Sequence, residues 1–98
     1  MSETILVVDD EAEVRAVARE ALQALGYVVL DTGDPQHALR IVKEQPVHLL
    51  LTDVVMPIMN GLELAKRVEA VSAITKVVVM SGYQTADIAP SGQRGGYR

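Results

Sequence analysis

Four short runs of aliphatic, largely β-branched residues constrain this chain more than any other feature. They are Ile5-Leu6-Val7-Val8, Tyr27-Val28-Val29-Leu30, the stretch Val47 to Thr52 built on Leu49-Leu50-Leu51, and Lys76 to Met80 built on Val77-Val78-Val79. None of them alternates polar with apolar residues, so each reads as a strand covered on both faces, the habit of a parallel sheet between helices. Helical periodicity fills the intervals. From Glu11 to Leu25 the apolar positions Val14, Val17, Ala18, Ala21, Leu22 and Leu25 recur every three or four residues, and Gly26 follows as a C-cap. Asp34-Pro35 supplies an N-cap acid and a first-turn proline for a second helix that turns Ala38, Leu39 and Val42 inward and ends near Gln45-Pro46. Gly61 opens a third, with Leu62, Leu64, Ala65, Val68 and Val71 on one face, and Thr85 to Ala89 is a short helical candidate. The order βαβαβαβ implies right-handed crossovers and helices on both faces of one α/β sheet.

Length and charge narrow the classes. Ninety-eight residues suffice for one hydrophobic core, and 49% hydrophobic with 22% charged residues is the balance of a globular chain. A net charge of −4 gives no positive field for phosphate backbones or anionic lipid, so neither a nucleic acid nor a membrane is expected as partner. The absence of cysteine removes disulfides and thiolate metal sites, and Met1-Ser2-Glu3-Thr4 starts neither a signal peptide nor a membrane span, so a cytoplasmic location is the expectation. The segment Ser91 to Arg98 has three Gly, two Arg and no aliphatic residue; residues 1–90 are expected to form the domain and 91–98 an irregular tail.

Where the runs end carries the chemistry. The first stops at Asp9-Asp10, the third at Asp53 and the fourth at Ser81-Gly82. In an open parallel sheet the functional cleft lies beyond the C-terminal strand ends. Three carboxylates gathered there repel one another unless a cation sits between them, and an all-oxygen set favours a hard divalent ion, Mg²⁺ foremost. A carboxylate beside such an ion is able to attack phosphorus. Plainer readings stand beside this one: Asp9 and Asp10 as caps of the following helix, Asp53 as a loop acid before Met56-Pro57, Ser81-Gly82 as a turn. Met56 and Met59 read as loop and core packing, and His37 and His48 have no assigned role.

Leu6-Val7-Val8-Asp9-Asp10-Glu11, Thr52-Asp53-Val54-Val55-Met56-Pro57 with Asn60-Gly61, and Met80-Ser81-Gly82 together resemble the signature segments of response-regulator receiver domains, over Ile5 to about Ile88. The resemblance implies a flavodoxin-like doubly wound sheet of strand order 2-1-3-4. It implies phosphoryl transfer from a sensor histidine kinase or a histidine phosphotransfer protein onto Asp53, in a module that is not an enzyme apart from catalysing its own phosphorylation and dephosphorylation. By the same resemblance Asp10 would bind Mg²⁺ directly, Asp9 through water and Val55 through its backbone carbonyl; Asp53 completes the metal site. Ser81 would be the switch hydroxyl, and Val55 and Tyr83 would tune the rates.

One departure stands out. The family continues to a fifth strand ending in Lys-Pro and a last helix, whereas this chain reaches Arg98 first and its lysines are Lys43, Lys66 and Lys76 only. A phosphorylation-incompetent interaction module is therefore the alternative reading. An aspartyl phosphohydrolase is a weaker rival, because it would want an acid where Val55 stands. The shortened sheet also predicts self-association through the edge strand Val77-Val78-Val79-Met80, which Gly92, Gly95 and Gly96 suit the tail poorly to cover.

Overall fold

The computed structural model describes residues 3–56 and 59–80. Its elements are β1 (Thr4–Val8), α1 (Ala12–Ala24), β2 (Val28–Thr32), α2 (Pro35–Glu44), β3 (Leu49–Asp53), α3 (Gly61–Val71) and β4 (Lys76–Met80). The strands form one parallel sheet in the order β2-β1-β3-β4, as the alternation and the resemblance implied. Ile5 on β1 pairs with Val29 on one side and Leu49 on the other, and Asp53 on β3 pairs with Met80 on β4. Parallel pairing puts the last residues of all four strands, Val8, Thr32, Asp53 and Met80, along one edge of the sheet.

Local signals account for the helix ends. The Asp34 carboxylate accepts from the Gln36 N–H at 2.9 Å ahead of Pro35, and the Asn60 side chain accepts from the Glu63 N–H at 2.9 Å, so α2 and α3 each have one orphan donor satisfied. Glu11, the N-cap of α1, makes no side-chain cap bond; Asp9 does this from two residues upstream, its Oδ1 accepting from the Glu11 N–H at 2.9 Å. At the other end Gly26 takes φ +99°, a left-handed turn open to glycine, and the Tyr27 N–H returns to the Leu22 carbonyl. That return keeps Tyr27 in the turn, so β2 begins at Val28 and runs on to Thr32 rather than ending at Leu30.

The sheet separates two cores. On one face Leu6, Val8 and Leu50 pack with Ala38, Leu39 and Val42 of α2 and Leu64 and Val68 of α3, and Met56 and Met59 close the same cluster, as expected of them. Leu6, Leu50 and Leu64 are fully buried, each contributing about 2 kcal/mol of burial. On the other face Ile5, Val7 and Val29 meet Ala18 and Leu22 of α1.

Helix α1 departs from the sequence expectation. No residue of it is buried, and Val17 and Leu25, read as core-facing, are 69% and 73% exposed. The reason lies in what shares the sheet-facing side of the helix. Arg15 stands three residues before Ala18 and Arg19 three before Leu22, and both reach Asp31 of β2: Arg15 Nε to Oδ2 at 2.9 Å and Arg19 Nη1 to Oδ1 at 2.7 Å. Burial pushes the Asp31 carboxyl upward, but the two guanidinium groups outweigh it and hold the group below the ordinary range. Helix α1 is oriented by an ion-pair triad as much as by its apolar stripe. The helical candidate Thr85 to Ala89 and the expected boundary between 90 and 91 lie outside the described residues.

Candidate functional site

At the carboxyl edge of the sheet β1 hands over to Asp9, which is 3% exposed. Its N–H donates to the Thr32 carbonyl at 3.2 Å, its carbonyl accepts from Arg15 Nη1 at 2.8 Å, and its Oδ1 caps α1. Asp9 therefore does cap the helix, and this leaves its other carboxylate oxygen for the site. Asp10 follows on the surface. Asp53 is the last residue of β3, and the chain leaving it is held by Val54 N–H to the Met80 carbonyl at 3.0 Å and by Gly61 N–H to the Val54 carbonyl at 2.9 Å. Gly61 lies so close beneath this loop that a Cβ there would overlap the Asp53 carbonyl oxygen.

The structure brings together the three acids that the sequence placed at one sheet end. One carboxylate oxygen from each of Asp9, Asp10 and Asp53 lies within 4.8 Å of the others. Burial pushes the Asp9 carboxyl above the ordinary range; the Glu11 N–H opposes this, the charges of Asp53 and Asp10 add to it, and Arg15 pulls back. Among the described residues, Asp53 Oδ1 is buried without a hydrogen-bond partner. A buried carboxylate oxygen is ordinarily satisfied, and an unpartnered one on an acid grouped with two others suits a set of hard oxygen donors that is completed by a divalent cation.

Val55 follows in the loop after β3 with its side chain 65% exposed. Ser81 and Tyr83 come directly after β4 and lie outside the described residues, as does Pro57. The histidines have structural partners: His48 Nδ1 accepts from the Thr4 N–H at 3.0 Å at the far end of the sheet, and His37 Nδ1 pairs with the Thr32 hydroxyl at 3.0 Å. What sequence reasoning missed is Arg15. Its only signal was a pair of arginines four apart on the helix after the acids, facing an acid near the end of the second strand. Among the described residues no helix is long and apolar enough to cross a membrane.

Residues 5–96 match the response regulator receiver domain family. Among curated proteins, the DNA-binding transcriptional regulator NtrC of Azospirillum brasilense is 40% identical over 82 residues, which make up 84% of this chain and 17% of NtrC. The chain thus spans under a fifth of that relative's length. Among solved structures, the receiver domain of the hybrid histidine kinase CckA is 40% identical with a TM-score of 0.75, covering 84% of this chain and 78% of that one. The response regulator protein TrrA of Thermotoga maritima, solved in complex with Mg²⁺ and BeF, is 31% identical with a TM-score of 0.77, covering 83% and 70%. A parallel sheet of order 2-1-3-4 with acids at its carboxyl edge, matched over nearly its whole length, places this chain in the response regulator receiver family of two-component signal transduction, whose members typically take a phosphoryl group on an aspartate.

Proposed function

We propose that Asp53 is the phosphoacceptor of this chain and that Asp9, Asp10, Asp53 and the Val55 carbonyl hold Mg²⁺ beside it. The observation that carries the reading is the triad of carboxylate oxygens within 4.8 Å, with Asp53 Oδ1 buried and unpartnered. Asp53 ends a central strand, where it pairs with Met80 of β4 one residue beyond the Val8–Thr52 pair with β1, and this places it at the cleft end of the sheet. Its carboxylate oxygen forms the new bond to phosphorus as the P–N bond to a donor phosphohistidine breaks, and the freed imidazole nitrogen keeps the electron pair and takes a proton. The ion, when bound, neutralises charge on the transferring phosphoryl oxygens. Asp9 and Asp10 orient it, and Asp9 does so from a peptide already fixed to α1 and β2. The Ser81 hydroxyl, next after β4, then holds the phosphorylated state.

The donor on this reading is a sensor histidine kinase or a histidine phosphotransfer protein, and TrrA, also solved with the histidine kinase ThkA, supports that class of partner. The chain acts as an acceptor rather than as an enzyme on a separate substrate, in the cytoplasm. It also self-associates through β4, the end strand of the sheet among the described residues, where Val78 is 47% exposed.

Incubation with Mg²⁺ and a small phosphodonor, followed by intact-mass measurement, tests the assignment. The wild type is expected to gain the mass of one phosphoryl group and Asp53→Asn none. Uptake at an unchanged rate by Asp53→Asn would place the acceptor elsewhere. No uptake by the wild type would favour the incompetent interaction module.

A further inference from the structure

The peptide that joins the two amino-terminal acids of the site is gripped by a side chain from outside the acid triad. Arg15 lies on the first turns of α1 with its side chain 21% exposed. Its Nη1 donates to the Asp9 carbonyl at 2.8 Å, and its Nε donates to Asp31 Oδ2 at 2.9 Å. The other oxygen of Asp31 is taken by Arg19 Nη1 at 2.7 Å, so the anchor is itself held. Room for the guanidinium comes from Gly33, where a Cβ would stand 2.7 Å from Arg15 Nη1 and 3.3 Å from the Asp9 carbonyl oxygen.

We infer that Arg15 is a positioning residue for the Mg²⁺ site, fixing the Asp9–Asp10 peptide through its carbonyl and passing the order of the Arg15–Asp31–Arg19 triad to both carboxylates. The inference rests on the proposed metal site. The carbonyl that Arg15 holds belongs to the peptide whose nitrogen is Asp10's, so its direction sets where the exposed Asp10 begins. The N–H of Asp9 is meanwhile held by Thr32, which leaves the Asp9 backbone bonded on both sides. An arginine suits this work because its planar fork serves two acceptors at fixed angles, which a lysine ammonium does not.

Charge and geometry predict opposite signs, and this makes the inference testable. By Coulomb attraction alone, removing a cation near the acids would strengthen Mg²⁺ binding. By positioning, it weakens binding, and groups that orient metal ligands typically change affinity by about 10–100-fold. Calorimetric titration with Mg²⁺ alone, without any phosphodonor, reads the difference. Arg15→Gln is expected to raise the Kd about tenfold, Arg15→Lys to recover only part of that loss, and Arg67→Gln, on the far exposed pair with Glu63, to leave the Kd unchanged. Gly33→Ala and Asp31→Asn displace or release the guanidinium while leaving it in the chain; they are expected to weaken binding in the same direction, and they carry the test should Arg15→Gln fail to unfold cooperatively. A wild type that binds Mg²⁺ and an Arg15→Gln that binds it equally or more tightly would overturn the role of Arg15 while leaving the metal site standing. A wild type that binds no Mg²⁺ would overturn both.

Discussion

Replacing Asp9 by Asn removes one charge from the acid triad and little else. The Asn side-chain oxygen still accepts the Glu11 N–H that caps α1, and the volume is unchanged, so the perturbation is close to purely electrostatic. Two like charges 4.8 Å apart repel by about 0.9 kcal/mol in bulk water and about 3.5 kcal/mol at an effective dielectric of about 20. Asp10 is exposed, which puts its pair with Asp9 at the weak limit, and Asp53 is half-buried, which puts its pair between the limits. Allowing for salt screening, Asp9→Asn is expected to stabilise the metal-free protein at neutral pH by about 1–2 kcal/mol, or roughly 5–10 °C in Tm for a domain of this size. Mg²⁺ should do the same for the wild type by neutralisation: at ten times its Kd the gain is about 1.4 kcal/mol. The variant, short of a ligand, should lose most of that gain, so the two proteins exchange rank as Mg²⁺ is added. The pH dependence has a fixed sign. Because folding raises the Asp9 carboxyl above its unfolded value, the folded wild type is favoured when this group is protonated. That advantage is complete below the unfolded value and is lost as pH rises through the folded one. The benefit of Asp9→Asn should therefore fade as pH falls through the carboxylate range. Urea melts with and without Mg²⁺ at several pH values provide the assay. A variant less stable than the wild type without metal, or one that gains as much from Mg²⁺ as the wild type does, would refute the reasoning.

Two further outcomes are expected. Gly61→Ala forces a methyl group onto the Asp53 carbonyl, backbone that cannot swing aside, and should cost about 2–3 kcal/mol in a urea melt; a loss below half a kcal/mol would show that the loop after β3 yields freely. Sedimentation velocity at micromolar concentration should show concentration-dependent dimerisation through β4, which Val78→Lys weakens by placing a charge on the exposed position; a monomer at all concentrations would contradict the edge-strand association.

Much of the site was legible because the features that carry it are local. An uninterrupted aliphatic run that halts at an acid marks both a buried strand and its end, and parallel topology then brings such ends together without any further information. Asp9, Asp10 and Asp53 were readable for that reason, as were the Asp34 and Asn60–Gly61 helix starts, where the chemistry acts within three residues. The face of α1 was misread for the converse reason. Periodicity ranks the residues of a helix by hydropathy, and on that ranking Val17 and Leu25 belong to the core, whereas the helix turns toward a partner that periodicity does not register: an acid on β2, sixteen and twelve residues away from Arg15 and Arg19.

What the sequence by itself determined is therefore the element order, the parallel sheet and the gathering of acids at one edge, since these follow from hydrophobic runs, helix signals and the handedness of crossovers. Only the tertiary structure decided that Asp9 is buried while Asp10 is exposed, that Asp53 Oδ1 lacks a partner, that Gly61 supports the Asp53 carbonyl, and that Arg15 reaches past Gly33 to hold the peptide between two acids. The physical reason is range. Strand and helix preferences are set by neighbours within a few positions, whereas desolvation, like-charge repulsion and the room for a guanidinium depend on groups that meet only when α1 and β2 pack beside β1.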